Sequence, residues 1–386
     1  VRDYPYWRLS SFYFAYFGVL GALVPFWSLF LQERGFSLVD IALLMAIPMA
    51  TRVVAPYLWG WIADHQRARL PVVRFGSIAA IACFAAVWFV DSFAGMALVM
   101  AGYSFFWNAV LPQFEVVTLN HLGPRISEYS RVRLWGSIGF ILAVLGLGLL
   151  FDAVSVAWLP ACMLLIMVAL WFTALATREA PAVPHAQATA GDFGRLLRMP
   201  VVWAFFAACL LINLSHGPYY TYFSIYLQDQ GWTRLGIGGL WALGVVAEVI
   251  VFIYMHHILA RVGAVFVLGV AAFGVVVRWL LLAWLPDSLA ALLAAQLLHA
   301  VTFGFLHAAG IHLVHRLFTG SAQGRGQALF SSLSYGVGGA GGALAAAALW
   351  APLGATVSFT AMAAVGVLAT LLVALVLARS PLLREG

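Results

Sequence analysis

Twelve apolar runs follow one another along this 386-residue chain, at roughly 9–31, 40–62, 72–90, 94–118, 132–151, 157–176, 201–226, 236–258, 264–285, 289–312, 327–350 and 355–378. A helix that crosses a bilayer needs about 20 apolar residues. Inside lipid, each backbone N–H and C=O must find its partner within the protein, which leaves helices as the economical way to span. The runs therefore predict an all-α membrane protein with 12 transmembrane helices. Composition supports this: 64% of residues are hydrophobic and 9% charged, against about 25% charged in soluble domains. A soluble enzyme, a disordered tail protein and a nucleic-acid binder are excluded, and the bilayer is the expected surrounding.

The longest hydrophilic stretch, from Thr177 to Met199, divides the runs into two sets of six. The expected organisation is an N-terminal six-helix bundle over 1–176, a cytoplasmic linker over 177–200 and a C-terminal six-helix bundle over 201–386. The halves share residues. The segment from Trp27 to Ser37, with Ser28, Gln32, Glu33 and Gly35, returns from Phe223 to Thr233 as Ser224, Gln228, Asp229 and Gly231, at a constant offset of 196. Each copy ends the first span of its half. Parallel repeats of this kind recur among transporters. All 20 basic residues are Arg, and 16 of them fall in the tails and in the loops on one side of the expected spans or beside them. Loop arginines stay cytoplasmic, so both termini are expected inside. Arg2 and Arg8 precede a first run too long for a signal-peptide core, and no cleavable signal is expected.

Charges inside the membrane are costly, about 2.5–3.5 kcal/mol at the centre of a helix, and mark functional candidates. Arg52, Glu115, Glu248 and Arg278 fall within spans, and Arg133 lies near the inner end of span 5. Arg52 and Glu248 are 196 residues apart, so the repeat places opposite charges at equivalent positions. Their bland use is as fixed ion pairs that set helix packing. A carboxylate able to exchange an Arg partner for a proton would instead be a switch. His299, Thr302, Phe303 and His307 are spaced as one helical stripe on span 10, and His216, Tyr219, Tyr220 and Phe223 as another on span 7, where Pro218 can break the helix.

Other signals are weaker. Gly60, Asp64, Arg67 and Arg69 lie in the turn between spans 2 and 3, where an acid and two arginines can clamp a helix end. The run from Gly336 to Gly342 superficially suggests a phosphate loop, yet it lies inside an apolar helix and is read as small residues for close packing. No metal or cofactor motif is present, and none is expected.

Twelve spans, a parallel repeat and the Gly60–Arg69 turn resemble the major facilitator superfamily, although His65 replaces the first basic residue of that family's loop. Arg131-Val132-Arg133-Leu134-Trp135-Gly136-Ser137-Ile138-Gly139-Phe140, with Glu115 upstream, is similar to the sugar-binding segment of lactose permease. That resemblance carries substrate binding onto Glu115 and Arg133, while Phe140 stands where the permease has a stacking Trp. Glu248, Arg278 and His299 resemble the permease's coupling residues of spans 8, 9 and 10, but Thr302 stands where its proton-carrying Glu would be. A closer likeness is to the phenylpropionic-acid transporter branch, through Arg52, the Arg133 segment, His216, Tyr219, Tyr220, Glu248, Arg278, His299, Phe303 and His307.

The resemblance implies a secondary active transporter rather than an enzyme, working by alternating access in a bacterial inner membrane, functional as a monomer. The expected reaction is proton-coupled uptake of an aromatic carboxylate such as 3-phenylpropionate, and the alternative is a sugar or nucleoside symporter. Arg52, Glu115, Arg133, Phe140, His216, Tyr219, Tyr220 and Phe303 are the expected substrate residues. Glu248, Arg278, His299 and His307 are the expected coupling residues, with Gly60, Asp64, Arg67 and Arg69 forming the conformational loop. A histidine-bearing membrane enzyme and a non-transporting receptor are the rival classes.

Overall fold

A computed structural model describes residues 4–66, 68–179, 192–320 and 322–383. Among the described residues every regular element is helical: α1 (Tyr6–Glu33), α2 (Leu38–Gln66), α3 (Leu70–Ala85), α4 (Phe93–Leu122), α5 (Tyr129–Ala153), α6 (Leu159–Ala176), α7 (Asp192–Leu196), α8 (Pro200–Ser215), α9 (Gly217–Asp229), α10 (Arg234–Val262), α11 (Ala264–Trp284), α12 (Leu289–His299), α13 (Leu306–Leu317), α14 (Ala322–Phe330) and α15 (Gly338–Leu372). Among the described residues, ten helical stretches are long and apolar enough to cross a membrane. Two of them, Phe93–Ala153 with 61 residues and Ala322–Leu377 with 56, each hold two crossings. In the first, Gly123 at φ +51 ends α4; in the second, Gly354 at φ +77 interrupts α15 just after Pro352. Twelve crossings result, as the apolar runs predict. Large apolar side chains such as Leu98 and Leu165 are over 70% exposed, an arrangement suited to lipid rather than water.

The chain forms two compact units, one of Val1–His185 with Tyr222–Ala242, the other of Ala186–Thr221 with Leu243–Gly386. Within the expected linker, residues 180–191 lie outside the described residues. In the first unit α1 lies against α5 so closely that a Cβ on Gly139 would collide with the Phe14 carbonyl oxygen, and one on Gly21 would come within 2.6 Å of the Phe140 oxygen. Small residues permit such backbone approach in lipid, where packing rather than water exclusion drives association. The same unit contains the start of α10, whose first two N–H groups donate to the Asp152 carboxylate at 2.6 Å (Arg234) and 3.1 Å (Leu235). Gln228 and Gln32, the same position in the two copies of the repeat, meet there through an amide hydrogen bond of 3.4 Å.

In the second unit the glycine run from Gly336 to Gly342 packs α15 against the span built from α8 and α9. A Cβ on Gly338 would lie 2.9 Å from the Leu210 oxygen, and one on Gly217 would collide with the Gly342 backbone. Three described segments here wind as π-helix, Ala300–Phe305 between α12 and α13, Ser331–Val337 between α14 and α15, and Val373–Leu377 after α15.

Candidate functional site

Span 7 breaks where Pro218 allows it: α8 stops at Ser215 and α9 begins at Gly217, with His216 between them. His216 is buried. Its Nδ1 lies 2.8 Å from the Ile212 carbonyl oxygen, which can only accept, so that nitrogen carries the proton. Its Nε2, 3.1 Å from Thr302 Oγ1, is then the acceptor of the threonine hydroxyl.

Thr302 connects this corner to Arg278. Arg278 Nη1 donates to Thr302 Oγ1 at 3.1 Å and to His299 Nδ1 at 3.1 Å. A guanidinium has no acceptor, so His299 Nδ1 must accept and the ring proton sits on Nε2. That Nε2 faces Glu248 Oε2 at 3.7 Å. The three residues therefore stand in series, with His299 between Arg278 and Glu248, where the sequence suggests a direct exchange between Arg and Glu. Rings enclose the series. Arg278 lies over Tyr219 at 4.2 Å and Trp279 at 4.6 Å from the ring centroids, and His299 stacks on Phe303 at 5.4 Å and 8°. Tyr220 lies 6.4 Å edge-on from His299, and the Tyr219 hydroxyl donates to Gln296 Oε1 at 2.8 Å.

The span 10 stripe is not one α-helical face. The π turn over Ala300–Phe305 inserts an extra residue into the helical ladder directly after His299, a feature frequent at functional sites. His307, beyond the turn, pairs instead with the Tyr335 hydroxyl at 2.9 Å. Tyr335 belongs to the second π segment.

The first unit gathers its own charges. Glu115 on α4 accepts a hydrogen bond from the Tyr129 hydroxyl at 3.1 Å. Arg133 and Arg52 both lie within electrostatic reach of Glu115, and no ion pair within 4.0 Å joins Arg133 to it among the described residues. Arg133 rests on the face of Phe17, 3.7 Å from the ring centroid, with Tyr13 at 5.8 Å. Glu115 and Arg133 are thus held separately, one by a hydroxyl and one by aromatic rings. Phe140 is buried on α5, its backbone against Gly21 of α1. Nearby, Tyr16 and Trp107 stack at 4.3 Å.

In the turn between α2 and α3, Arg69 pairs with Asp64 and donates from Nη1 to Gln113 Oε1 at 2.6 Å. A Cβ on Gly60 would face the Gln113 amide at 3.8 Å, so α2 and the turn meet α4 at this glutamine. Arg67 lies outside the described residues. Gln113 and Gln296 are the polar residues the sequence reading missed; a buried amide inside an apolar run was the signal available. Among the described residues no three His, Cys, Asp or Glu side chains gather as a metal-ligand set.

The model of the MFS_1 like family matches residues 6–361. The "Probable 3-phenylpropionic acid transporter" of Escherichia coli (strain K12) is 28% identical over 330 residues, covering 85% of this chain and 86% of that protein. The maltose permease of Geobacillus stearothermophilus is 28% identical over 334 residues, covering 85% and 83%. Among solved structures, the nucleoside transporter NupG superposes with a TM-score of 0.82 at 17% identity, over 97% of this chain and 99% of that one. The human organic anion transporter MFSD10 reaches a TM-score of 0.60 at 16% identity, over 96% and 99%. At such identities the structural likeness speaks for the fold.

Proposed function

The chain belongs to the MFS_1 like family of membrane transporters, and we propose that this member couples proton entry to the uptake of a small monoanionic, partly aromatic solute. An aromatic carboxylate such as 3-phenylpropionate is the representative substrate. The observation that carries this reading is the charge inside the spans: three guanidinium groups, Arg52, Arg133 and Arg278, against two carboxylates, Glu115 and Glu248. One monoanion balances that sum, and a neutral sugar does not. The rings of Tyr219, Tyr220 and Phe303 around His299 supply apolar surface for an aromatic body.

Glu248 takes the coupling proton, with His299 presenting Nε2–H to it and His307, on the same span as His299, tied to Tyr335 of the next. Arg52, Glu115, Arg133, Phe140 and His216 belong to the substrate side. The two halves alternate access by rocking. The arginine distribution supports cytoplasmic termini in a bacterial inner membrane, with the monomer as the working unit.

A second reading, symport of a sugar or nucleoside, draws on Glu115, a carboxylate held by a tyrosine hydroxyl and able to accept from ligand hydroxyls. Uptake into proteoliposomes under an inward proton gradient separates the two. Under the first reading 3-phenylpropionate accumulates while maltose and uridine equilibrate; faster accumulation of either neutral solute would overturn it.

A further inference from the structure

Arg278 is the only arginine or carboxylate with a fully buried side chain among the described residues. Both N–H groups of its Nη1 are used, by the neutral acceptors His299 Nδ1 and Thr302 Oγ1. Its Nε and Nη2 have no well-aligned hydrogen-bond partner, the Tyr219 hydroxyl lying within electrostatic reach of the guanidinium, and among the described residues no carboxylate forms an ion pair with it within 4.0 Å. A buried cation is ordinarily paired, and a buried donor ordinarily bonded, because leaving either uncompensated is costly. The rings of Tyr219 and Trp279 pack against the guanidinium, their centroids 4.2 and 4.6 Å from its central carbon. What remains is one edge, Nε–H beside Nη2–H, which is the parallel fork that receives a carboxylate through two hydrogen bonds.

A second unpartnered donor lies in the same cluster. Gln296 is fully buried, its Oε1 held by the Tyr219 hydroxyl and its Nε2 without a partner. Gln296 and His299 are three residues apart and share one face of α12. Tyr219 thus touches both residues whose donors are unpartnered, Arg278 through its ring and Gln296 through its hydroxyl.

We infer that the Nε/Nη2 edge of Arg278 is the docking point for the carboxylate of the transported anion. This rests on the anionic-substrate reading above and moves Arg278 from the coupling residues to the substrate residues. The binding edge and the Glu248 carboxylate then lie at opposite ends of one series through His299, hydrogen-bonded to Arg278 and 3.7 Å from Glu248. A monoanion fits where a dianion does not, since the edge offers a single positive charge and Glu248 already stands at the far end.

Lysine keeps the charge of Arg278 and loses the fork. In purified protein, Arg278→Lys is expected to weaken 3-phenylpropionate binding roughly 30-fold, while 3-phenylpropanol, which has no carboxylate, binds wild type and variant alike. Equal 3-phenylpropionate affinity in the two, within about threefold, overturns the docking assignment and leaves the anionic-substrate reading standing. No carboxylate binding by the wild type overturns both. Should Arg278→Lys not fold, the infrared carboxylate stretch of 13C-labelled 3-phenylpropionate decides. A bidentate signature in wild type that persists in both Arg52→Lys and Arg133→Lys supports Arg278. Its loss in either variant moves the dock to that residue and overturns the assignment.

Discussion

In the first unit Glu115 and Arg133 are near one another yet satisfied apart, the acid by the Tyr129 hydroxyl and the base by the face of Phe17. In the second unit Arg278, His299 and Glu248 are strung in series, His299 accepting from Arg278 Nη1 and facing Glu248 at 3.7 Å. The two arrangements differ in direction. A hydroxyl on a carboxylate, or a cation on a ring, can give way to a ligand without dictating where any proton sits. A guanidinium can only donate, so in the series it fixes the tautomer of His299 and turns Nε2–H toward Glu248. On the readings proposed above, the series turns a proton toward Glu248 at one end and leaves an Arg278 edge for the anion at the other, whereas Glu115 and Arg133 are open to the rest of the solute. The repeat preserved the spans while the charges diverged: Arg52 and Glu248 are equivalent by the offset of 196 and opposite in sign.

The largest test of this division is Glu248→Gln, which removes the group that exchanges a proton and keeps its shape. One-proton coupling accumulates solute about tenfold per unit of pH gradient, since a pH unit is worth 1.36 kcal/mol per proton. In proteoliposomes the variant should lose that accumulation entirely while counterflow exchange persists. Glu115→Gln, in the other half, should alter affinity and keep the pH-driven gradient. Accumulation retained by Glu248→Gln and lost by Glu115→Gln would invert the comparison.

Removing the middle of the series comes next. His299→Phe keeps a ring over Phe303 but takes the acceptor from Arg278 Nη1, adding another buried donor without a partner. Such a loss costs about 1–3 kcal/mol, to be read as a fall in stability in detergent against Thr302→Ser, which keeps its hydroxyl. In the first unit Tyr129→Phe should cost about 1 kcal/mol, the value of one ordinary hydrogen bond. Equal losses in the two would show that the series carries no more than its separate bonds.

A double-mutant cycle sharpens the contrast further. Arg133→Ala and Glu115→Gln should show a coupling energy of about 0.5–1 kcal/mol, at the low end of what interacting neighbours give, because no direct ion pair joins them. A coupling above about 2 kcal/mol would mean that they act as a buried pair after all.

How much of this was legible before the fold follows from the same residues. The crossings and the repeat were readable because lipid forces apolar length on every span and because Gln32 and Gln228 share a register. The break in span 7 was readable from Pro218. The π turn after His299 was not, since the same residues can wind with either hydrogen-bond ladder and packing selects between them. His307 therefore reads as a neighbour of His299 in sequence and partners Tyr335 in space. Glu115 and Arg133 suggest each other as opposite charges in apolar spans, whereas Tyr129 and Phe17, both unremarkable in sequence, are what each touches in the fold. Arg278 was legible as costly, but which of its edges lacks a partner depends on three helices at once.

The smallest expected effects lie at the turns between the second and third spans of each half, where the halves differ again. By the offset of 196, Asp64 corresponds to Ala260 and Arg69 to Val265, so the second half has no counterpart to the charged clamp. Its turn is made instead by Gly263 at φ +78. The Asp64 side chain is 65% exposed, and exposed ion pairs contribute about 0–1 kcal/mol. Asp64→Asn should accordingly change stability by less than about 1 kcal/mol. Arg69→Ala should cost more, because Arg69 also donates to Gln113 and so ties the turn to α4. Gln113→Leu then decides which bond matters. If it reproduces the loss seen in Arg69→Ala, the turn is held through the glutamine and the aspartate is incidental to stability. If Asp64→Asn alone matches Arg69→Ala, the exposed pair is the clamp, and the first half spends a charge where the second manages with a glycine.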